Sequence, residues 1–416
     1  MDPIFFKKSE LQTLLQKASI GFSKINQLDV KDLFSTSPPA VFIGSKLEYP
    51  NVNIGILSPP ENTENAWIYD SPKTWQTSKF TVDDIVKLRS ALINSRFKAQ
   101  VKIARNSTKL FENTQEIGLS KNTVDIEVKL NKKPNVKTML DNIHSPIGAG
   151  ARLESLKITE NVKIDQSVDK VVSDTDLKAK EGVIYLYEKG FEETKISQIL
   201  SVGALGLKKN RILVPTRFSI TATDDIIGKQ LIFSIKDFKL IDNYTFFSGS
   251  YLGNYYYVFL FPEVWSYELF EGYMPGALWN PNSKNITFAT DYEPYGGRKS
   301  YAEATVGGFY ASRFSVTQYL NKIKKQASVL VVRFETPEYS APLGVWVCRF
   351  AGKIAMDNEP LNFNDKESML AYARNIIKDK FNYDIDNIFK KSILLNNINH
   401  QFKLTKFIGA NNEQKY

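Results

Sequence analysis

The sequence is poor in the side chains that most often build metal centres and covalent cross-links. Cys348 is the single cysteine in 416 residues, which excludes an intramolecular disulfide and any cysteine-cluster zinc site. The only two histidines, His144 and His400, are too few for a histidine-rich metal centre or the zinc-deaminase signature. A Ser-His-Asp triad would have to use one of them. His144 lies in the Pro/Gly-rich loop IHSPIG and His400 near the C-terminal end, so neither is taken as catalytic. No apolar run reaches membrane-spanning length, and the opening MDPIFFKKSELQ lacks the apolar core of a signal peptide. These absences predict a cytoplasmic protein with no membrane contact and no bound metal. A Walker phosphate loop and a dinucleotide-binding glycine fingerprint are also missing, because GALG at 203–206 is too short to count. The sequence leaves any cofactor open.

What is present describes a folded, basic chain. Hydrophobic residues make up 43% and aromatics 12%, enough for a large core spread over one to three domains. The net charge of +9 favours phosphate-bearing partners such as nucleic acid or a nucleotide, although a lysine-rich surface would give the same total.

Apolar spacing predicts a helix over 9–27 and short buried strands at 40–44 and 52–57, bracketed by the proline pairs 38–39 and 59–60. Residues 67–75 (WIYDSPKTW) read as an aromatic loop that either packs on the core or stacks on a ligand. Thr81 caps a helix with Asp83 and Asp84 in its first turn. A strand follows at 124–130, then a turn-rich connection over 132–150. Further on, helices are expected at 225–238, 309–326, 366–378 and 383–395, with strands at 244–247, 255–261, 328–335 and 343–350; 265–273 is amphipathic. Strands and helices mix without strict alternation, so the expected class is α+β. The expected division is an N-terminal portion at 1–150, a core at 151–395 and a flexible tail at 396–416.

Residues 171–225 stand out as a possible site wall. The pairs Asp174/Asp176 and Asp224/Asp225 flank a basic segment with Lys208, Lys209, Arg211 and Arg217. In an extended segment Asp174 and Asp176 would face the same way and could hold a cation or share a proton. Both acidic pairs also read as helix N-terminal caps. Arg217, Arg298 and Arg313 sit beside glycine, proline or aromatic residues, where a guanidinium can fork onto phosphate. As strands, 328–335 and 343–350 would place Arg333 with Val329 and Val331, and Arg349 with Val345 and Val347. Buried there, each arginine needs an internal carboxylate such as Glu335 or a bound phosphate.

The end of the chain reads Q-x-x-L-x-x-F-I from Gln401 through Leu404 and Phe407 to Ile408. On one helical turn Leu404, Phe407 and Ile408 share a face. Such an apolar plug is suited to filling a partner's pocket; the alternative is folding back on its own core.

Several ordered blocks resemble the archaeal Nre proteins, a family implicated in DNA repair. They are SPPAVFIG (37–44), YPNVNIG (49–55), VVSDTDLKA (171–179), LSVGALGL (200–207), RILVPTRFSITATDD (211–225), GGRKSYAEA (296–304), GGFYASR (307–313) and APLGVWVCRF (341–350). The resemblance implies a sliding-clamp (PCNA) interaction motif at the C-terminus. Gln401 would enter the clamp's glutamine pocket and Leu404 and Phe407 its apolar pocket, with Ile408 replacing the usual second aromatic. The four-cysteine zinc module of many relatives is absent. Two functions remain open: a clamp-recruited repair factor binding DNA, a nucleotide or a partner, and an enzyme using Asp174, Asp176, Asp224 or Asp225 with the arginines. A pure scaffold is a third.

Overall fold

The computed structural model describes residues 8–27, 31–44, 50–134 and 146–400. Among them, two six-stranded sheets organise the chain. The mixture of helices with these sheets is the expected α+β class. No helix among these residues is long and apolar enough to cross a membrane.

The N-terminal half begins with α1 (Lys8–Gln27), where apolar spacing predicts a helix. Next come β1 (Asp32–Ser37), β2 (Ala40–Ile43) and β3 (Asn51–Ser58). A 3-10 turn at Ala66–Asp70 leads into α2 (Pro72–Thr77) and α3 (Val82–Ser90). Residues 67–75 are therefore largely helical, not a loop. Pro72 opens α2, where its missing N–H is harmless, and the buried Trp75 indole donates to the Ile68 carbonyl at 2.8 Å. The Thr81 cap is a reciprocal capping box with Asp84. Then follow β4 (Ile93–Gln100), α4 (Lys109–Leu119), β5 (Val124–Leu130) and β6 (Ala149–Ile158).

The first sheet has the order β1-β5-β6-β4-β3-β2. Its two edges are consecutive strands separated only by Pro38 and Pro39, so the sheet must curl back towards itself. Across this seam Ser37 Oγ donates to the Leu57 carbonyl at 2.9 Å. Curling leaves little exposed strand edge.

Four helices follow: α5 (Gln166–Ser173), α6 (Ala179–Glu188), α7 (Glu193–Ser201) and α8 (Thr216–Ile235). α8 begins nine residues before the expected start at 225, directly after Pro215. Asp224 and Asp225 therefore lie within the helix and cannot cap it.

The second sheet contains β7 (Tyr244–Tyr251), β8 (Asn254–Phe261), β9 (Ser266–Tyr273) and β10 (Thr287–Glu293). After α9 (Val306–Ile323) the chain enters β11 (Ser328–Glu335), then α10 (Trp346–Asp357) and β12 (Leu361–Phe363). It ends in α11 (Lys366–Phe381), α12 (Asp386–Phe389) and α13 (Ile393–His400). The expected helix at 383–395 is thus split in two, and 396–400 belong to the folded body. The expected strand at 343–350 is instead the approach to α10 and its first turns. A short apolar run buried on most sides has no periodicity that separates a strand from a helix.

The strand order is β10-β9-β11-β8-β7-β12, and every residue of β11 is buried. Alternation divides its core cleanly. Tyr256, Val258 and Leu260 share one cluster with residues of α8, α9 and α10. Tyr257, Phe259 and Phe261 share another with α11, α12 and α13. Leu252 and Gly253 turn β7 into β8 with φ of 46° and 73°. A Cβ on Gly253 would lie 2.6 Å from the Tyr339 amide nitrogen, so glycine is required there.

Candidate functional site

The arginines singled out by sequence divide into two kinds. Three are buried and meet carboxylates. Arg349 Nη2 lies 2.7 and 2.9 Å from the two oxygens of the fully buried Asp224. Burial pushes the Asp224 carboxyl up to about 6, while Arg349 opposes the shift. Arg313 donates to Asp225 at 2.6 Å and also to Glu293; Lys229 holds Asp225 from the other side at 2.6 Å. Arg333 bonds Glu271 at 2.6 Å, Glu335 at 2.8 Å and the Asn254 amide oxygen. It shares its face with Val329 and Val331 as period-two spacing predicts, but Arg349 is helical and shares no strand face with Val345 and Val347. Arg298 pairs with Asp291 at 3.0 Å and donates to the Tyr292 and Tyr301 carbonyls. Arg217 is of the second kind: exposed, stacked 4.9 Å from the Phe218 ring, and without an ion pair among the described residues.

Asp174 and Asp176 are exposed in the turn between α5 and α6. Asp174 accepts the amides of Asp176 and Leu177, each at 2.9 Å. It therefore organises a turn, and α6 starts later, at Ala179. Arg211 is tied down by the carbonyls of Val172, Asp174 and Gly206. Among the described residues no three His, Cys, Asp or Glu side chains gather into a metal site. His144, Gln401, Leu404, Phe407 and Ile408 lie outside the described residues.

The stretch 171–225 does contribute a wall, through residues that were not singled out. A cleft of about 910 Å³ lies between the Pro38–Pro39 corner, the segment 67–75, the end of α4 and the beginnings of α7, α8 and α10. Its cations are Lys73, Arg89, Lys121, Lys189, Lys195 and Arg349; its carboxylates are Asp70, Asp165 and Glu192. Trp67, Trp75 and Trp346 add aromatic surface, with Trp75 and Trp346 ring centroids 5.6 Å apart. None of α7, α8 and α10 has a side-chain cap at its N-terminus. Such ends offer backbone N–H groups and positive dipole to anions.

Two cations of the wall stand out. Arg349 binds Asp224 through Nη2, but its buried Nε has no partner. Lys195, on α7, meets no carboxylate among the described residues. Its Nζ donates to the carbonyls of Gly118 and Ser120 at 3.0 and 2.5 Å, and to Gln198 Oε1 at 3.4 Å. These carbonyls close the C-terminal end of α4, where a cation is favoured. Desolvation nevertheless pulls the amine down to about 7. Lys195 escaped sequence reading because TKISQIL is an ordinary helical segment; its one signal is a lysine beside the buried Ile196 and Ile199.

The profile described as "Archaeal Nre, N-terminal" matches residues 10–280, and "Archaeal Nre, C-terminal" matches 293–407. The chain belongs to the archaeal Nre family. The first profile ends after β9 and the second begins at Glu293, the last residue of β10, so the boundary between them falls within the second sheet. The chain is 35% identical over 331 residues to "DNA repair protein NreA" of Haloferax volcanii, covering 79% of each chain. It is 36% identical over 358 residues to "DNA repair protein NreB" of Archaeoglobus fulgidus, covering 84% of this chain and 88% of that one. The NreA of Archaeoglobus fulgidus is 34% identical over 348 residues, 84% and 86% of the two chains. No solved structure matches significantly.

Proposed function

We propose that this Nre-family chain is a DNA-repair factor whose cleft receives nucleic-acid phosphate and whose C-terminal motif recruits it to the sliding clamp, PCNA. The observation that carries the binding half is the cleft itself: six cations against three carboxylates among its lining residues, with Lys195 meeting no acid among the described residues. Uncapped starts of α7, α8 and α10 reinforce its preference for anions, and the tryptophans supply apolar wall for a base. The repair role is supported by the names of the relatives. Exposed Arg217 over Phe218 is a further phosphate contact in this reading.

Recruitment rests on Gln401, Leu404, Phe407 and Ile408. Their point of attachment is firmly held. Glu268, fully buried, accepts the Ile393 and Leu394 amides at 3.0 Å each and the Ser392 hydroxyl at 2.5 Å, which fastens the start of α13 to β9. A motif that follows this helix in the sequence keeps the body near the clamp and raises its local concentration on DNA.

The rival assignment, catalysis by Asp224 or Asp225 with Arg313 and Arg349, has little support, since these groups neutralise one another in the interior. Asp174 and Asp176 are turn formers.

Two measurements test the proposal. A chain ending at His400 is expected to lose clamp binding by surface plasmon resonance while keeping its melting curve; unchanged affinity contradicts the recruitment. The double variant Lys121→Glu/Lys189→Glu reverses two exposed charges of the cleft. Its affinity for a fluorescent single-stranded oligonucleotide is expected to fall, together with the slope of affinity against salt. An unchanged slope contradicts the binding site.

A further inference from the structure

The outer face of α8 carries more aromatic surface than a solvated helix needs. Phe218, Ala222, Asp225, Lys229, Phe233 and Lys236 recur every three or four residues, so they form one stripe along the helix. The opposite side, with Asp224, Ile227, Leu231 and Ile235, is buried. On the stripe Phe233 is 72% exposed and Phe218 45%. Beside it runs the loop 294–305, whose Tyr295 and Tyr301 are 48% and 42% exposed. A single exposed apolar residue needs no explanation, but four rings on two adjoining segments do.

The loop is fastened to the helix at both ends of this stretch. Lys236 Nζ donates to the Tyr295 carbonyl and lies 4.5 Å from the centre of its ring. At the other end Tyr301 reaches Thr221: burial raises the tyrosine pKa, and a hydrogen bond with Thr221 and the charge of Arg217 oppose the rise. The Tyr301 ring stacks on Tyr310 with centroids 5.2 Å apart, which fixes its plane. Inside the loop Arg298 gathers the Tyr292 and Tyr301 carbonyls and Asp291, and Asp291 accepts the Ala304 and Thr305 amides at 3.1 and 2.8 Å. The tyrosines are therefore held in place before anything binds. From Thr221 to Lys236 the helix runs about 22 Å, room for several nucleotides of an extended strand.

Each ring also has a cation beside it. Arg217 lies 4.9 Å from the Phe218 ring, and its charge reaches Tyr301. Lys236 sits over Tyr295, and Phe233 lies on the helix face between Lys229 and Lys236. Lys229 is held by Asp225 and Arg298 by Asp291, whereas Arg217, Lys236 and Lys299 meet no carboxylate among the described residues. The remaining acids of these segments, Asp237 and Glu303, are exposed. Rings interleaved with cations suit a polymer that alternates bases and phosphates, because every base has a face to stack and every phosphate a charge. We propose that the outer face of α8 and the loop 294–305 form a platform for single-stranded nucleic acid. Its bases stack on Phe218, Phe233, Tyr295 and Tyr301, and its phosphates are drawn to Arg217, Lys236 and Lys299. The platform is separate from the cleft, to which α8 gives Thr216, Ser219 and Ile220 instead, and does not depend on how the cleft is read.

The test is fluorescence anisotropy on the full chain with two labelled probes. One is an oligodeoxythymidine; the other is a strand of equal length made of tetrahydrofuran sites, which keeps the phosphates and lacks the bases. An oligouridine of that length decides between DNA and RNA. The wild type is expected to prefer the base-bearing strand. Phe218→Ala/Phe233→Ala is expected to weaken that binding about tenfold or more and to leave the base-free strand nearly unchanged. Phe218→Tyr/Phe233→Tyr, which keeps both rings, is expected to restore it. Arg217→Ala is expected to reduce the salt slope by about 1 on either strand. Unchanged affinity in the alanine pair, an equal loss on both strands, or a wild type that binds neither strand overturns the platform. Loss in Lys121→Glu/Lys189→Glu with none in the alanine pair leaves the cleft standing without the platform; the reverse leaves the platform without the cleft. If melting curves show the alanine pair unfolded, Phe233→Ala alone, at the most exposed of the four rings, gives the same readings.

Discussion

Buried charge is handled in opposite ways in two regions of this molecule. Around the second sheet, Arg313, Arg333 and Arg349 each touch a carboxylate, and Arg333 is enclosed by Glu271, Glu335 and Asn254. At the cleft, Lys195 touches only carbonyl and amide oxygens. In the first region charge is cancelled where it stands, so little field remains for a ligand. In the second a cation is desolvated without a counter-ion among the described residues, leaving its charge for an anion that enters. The comparison separates arginines whose charge is cancelled by carboxylates from a lysine whose charge is held by carbonyl and amide oxygens alone.

The largest effect should come from the paired region. Arg333→Met leaves Glu271 and Glu335 buried without their cation, and the expected loss is about 3–5 kcal/mol in urea unfolding. A loss below about 1 kcal/mol would put the pair in the class of solvent-screened surface bridges and erase the contrast. Lys195→Met should cost far less at pH 7, within about 1 kcal/mol, because it removes a helix-end contact but also an unpaired cation. A loss as large as that of Arg333→Met would make Lys195 structural.

Acidity sharpens the same distinction. Lys195 is lowered in the fold to about 7 from the ordinary 10.5. Between these values the unfolded chain binds more protons than the folded one, so stability rises with pH. The penalty of burying the cation is fully present below pH 7 and is relieved as pH climbs towards 10.5. The difference in unfolding free energy between wild type and Lys195→Met should therefore shift in favour of the wild type from pH 6.5 to pH 9. A difference independent of pH would mean that the amine titrates normally.

Much of the scaffold was legible in the sequence where one periodicity dominates. The strands around 40–43, 51–58, 124–130 and 328–335 and the Thr81 cap follow from local pattern alone. Pattern failed where burial surrounds a segment on most sides. Val345, Val347 and Arg349 alternate like a strand but belong to the α10 region, because its run is enclosed by α9 and the second sheet. Asp224 and Asp225 looked like caps because TAT precedes them; Pro215 starts the helix earlier, and the acids then find Arg349 and Arg313 from two other helices. Those partners are distant in the chain, so no local pattern announces them. The cleft was invisible for the same reason. Its walls come from segments as far apart as Pro38 and Arg349, and Lys195 acquires its character only when α4 ends beside it.

The most direct measurement is a titration of the Lys195 side chain by NMR, using ¹³C-labelled lysine with Lys195→Met to assign the resonance. The account predicts a midpoint near 7, and a displaced resonance when a single-stranded oligonucleotide is added. A midpoint near the ordinary 10.5 that does not respond to the oligonucleotide would contradict it.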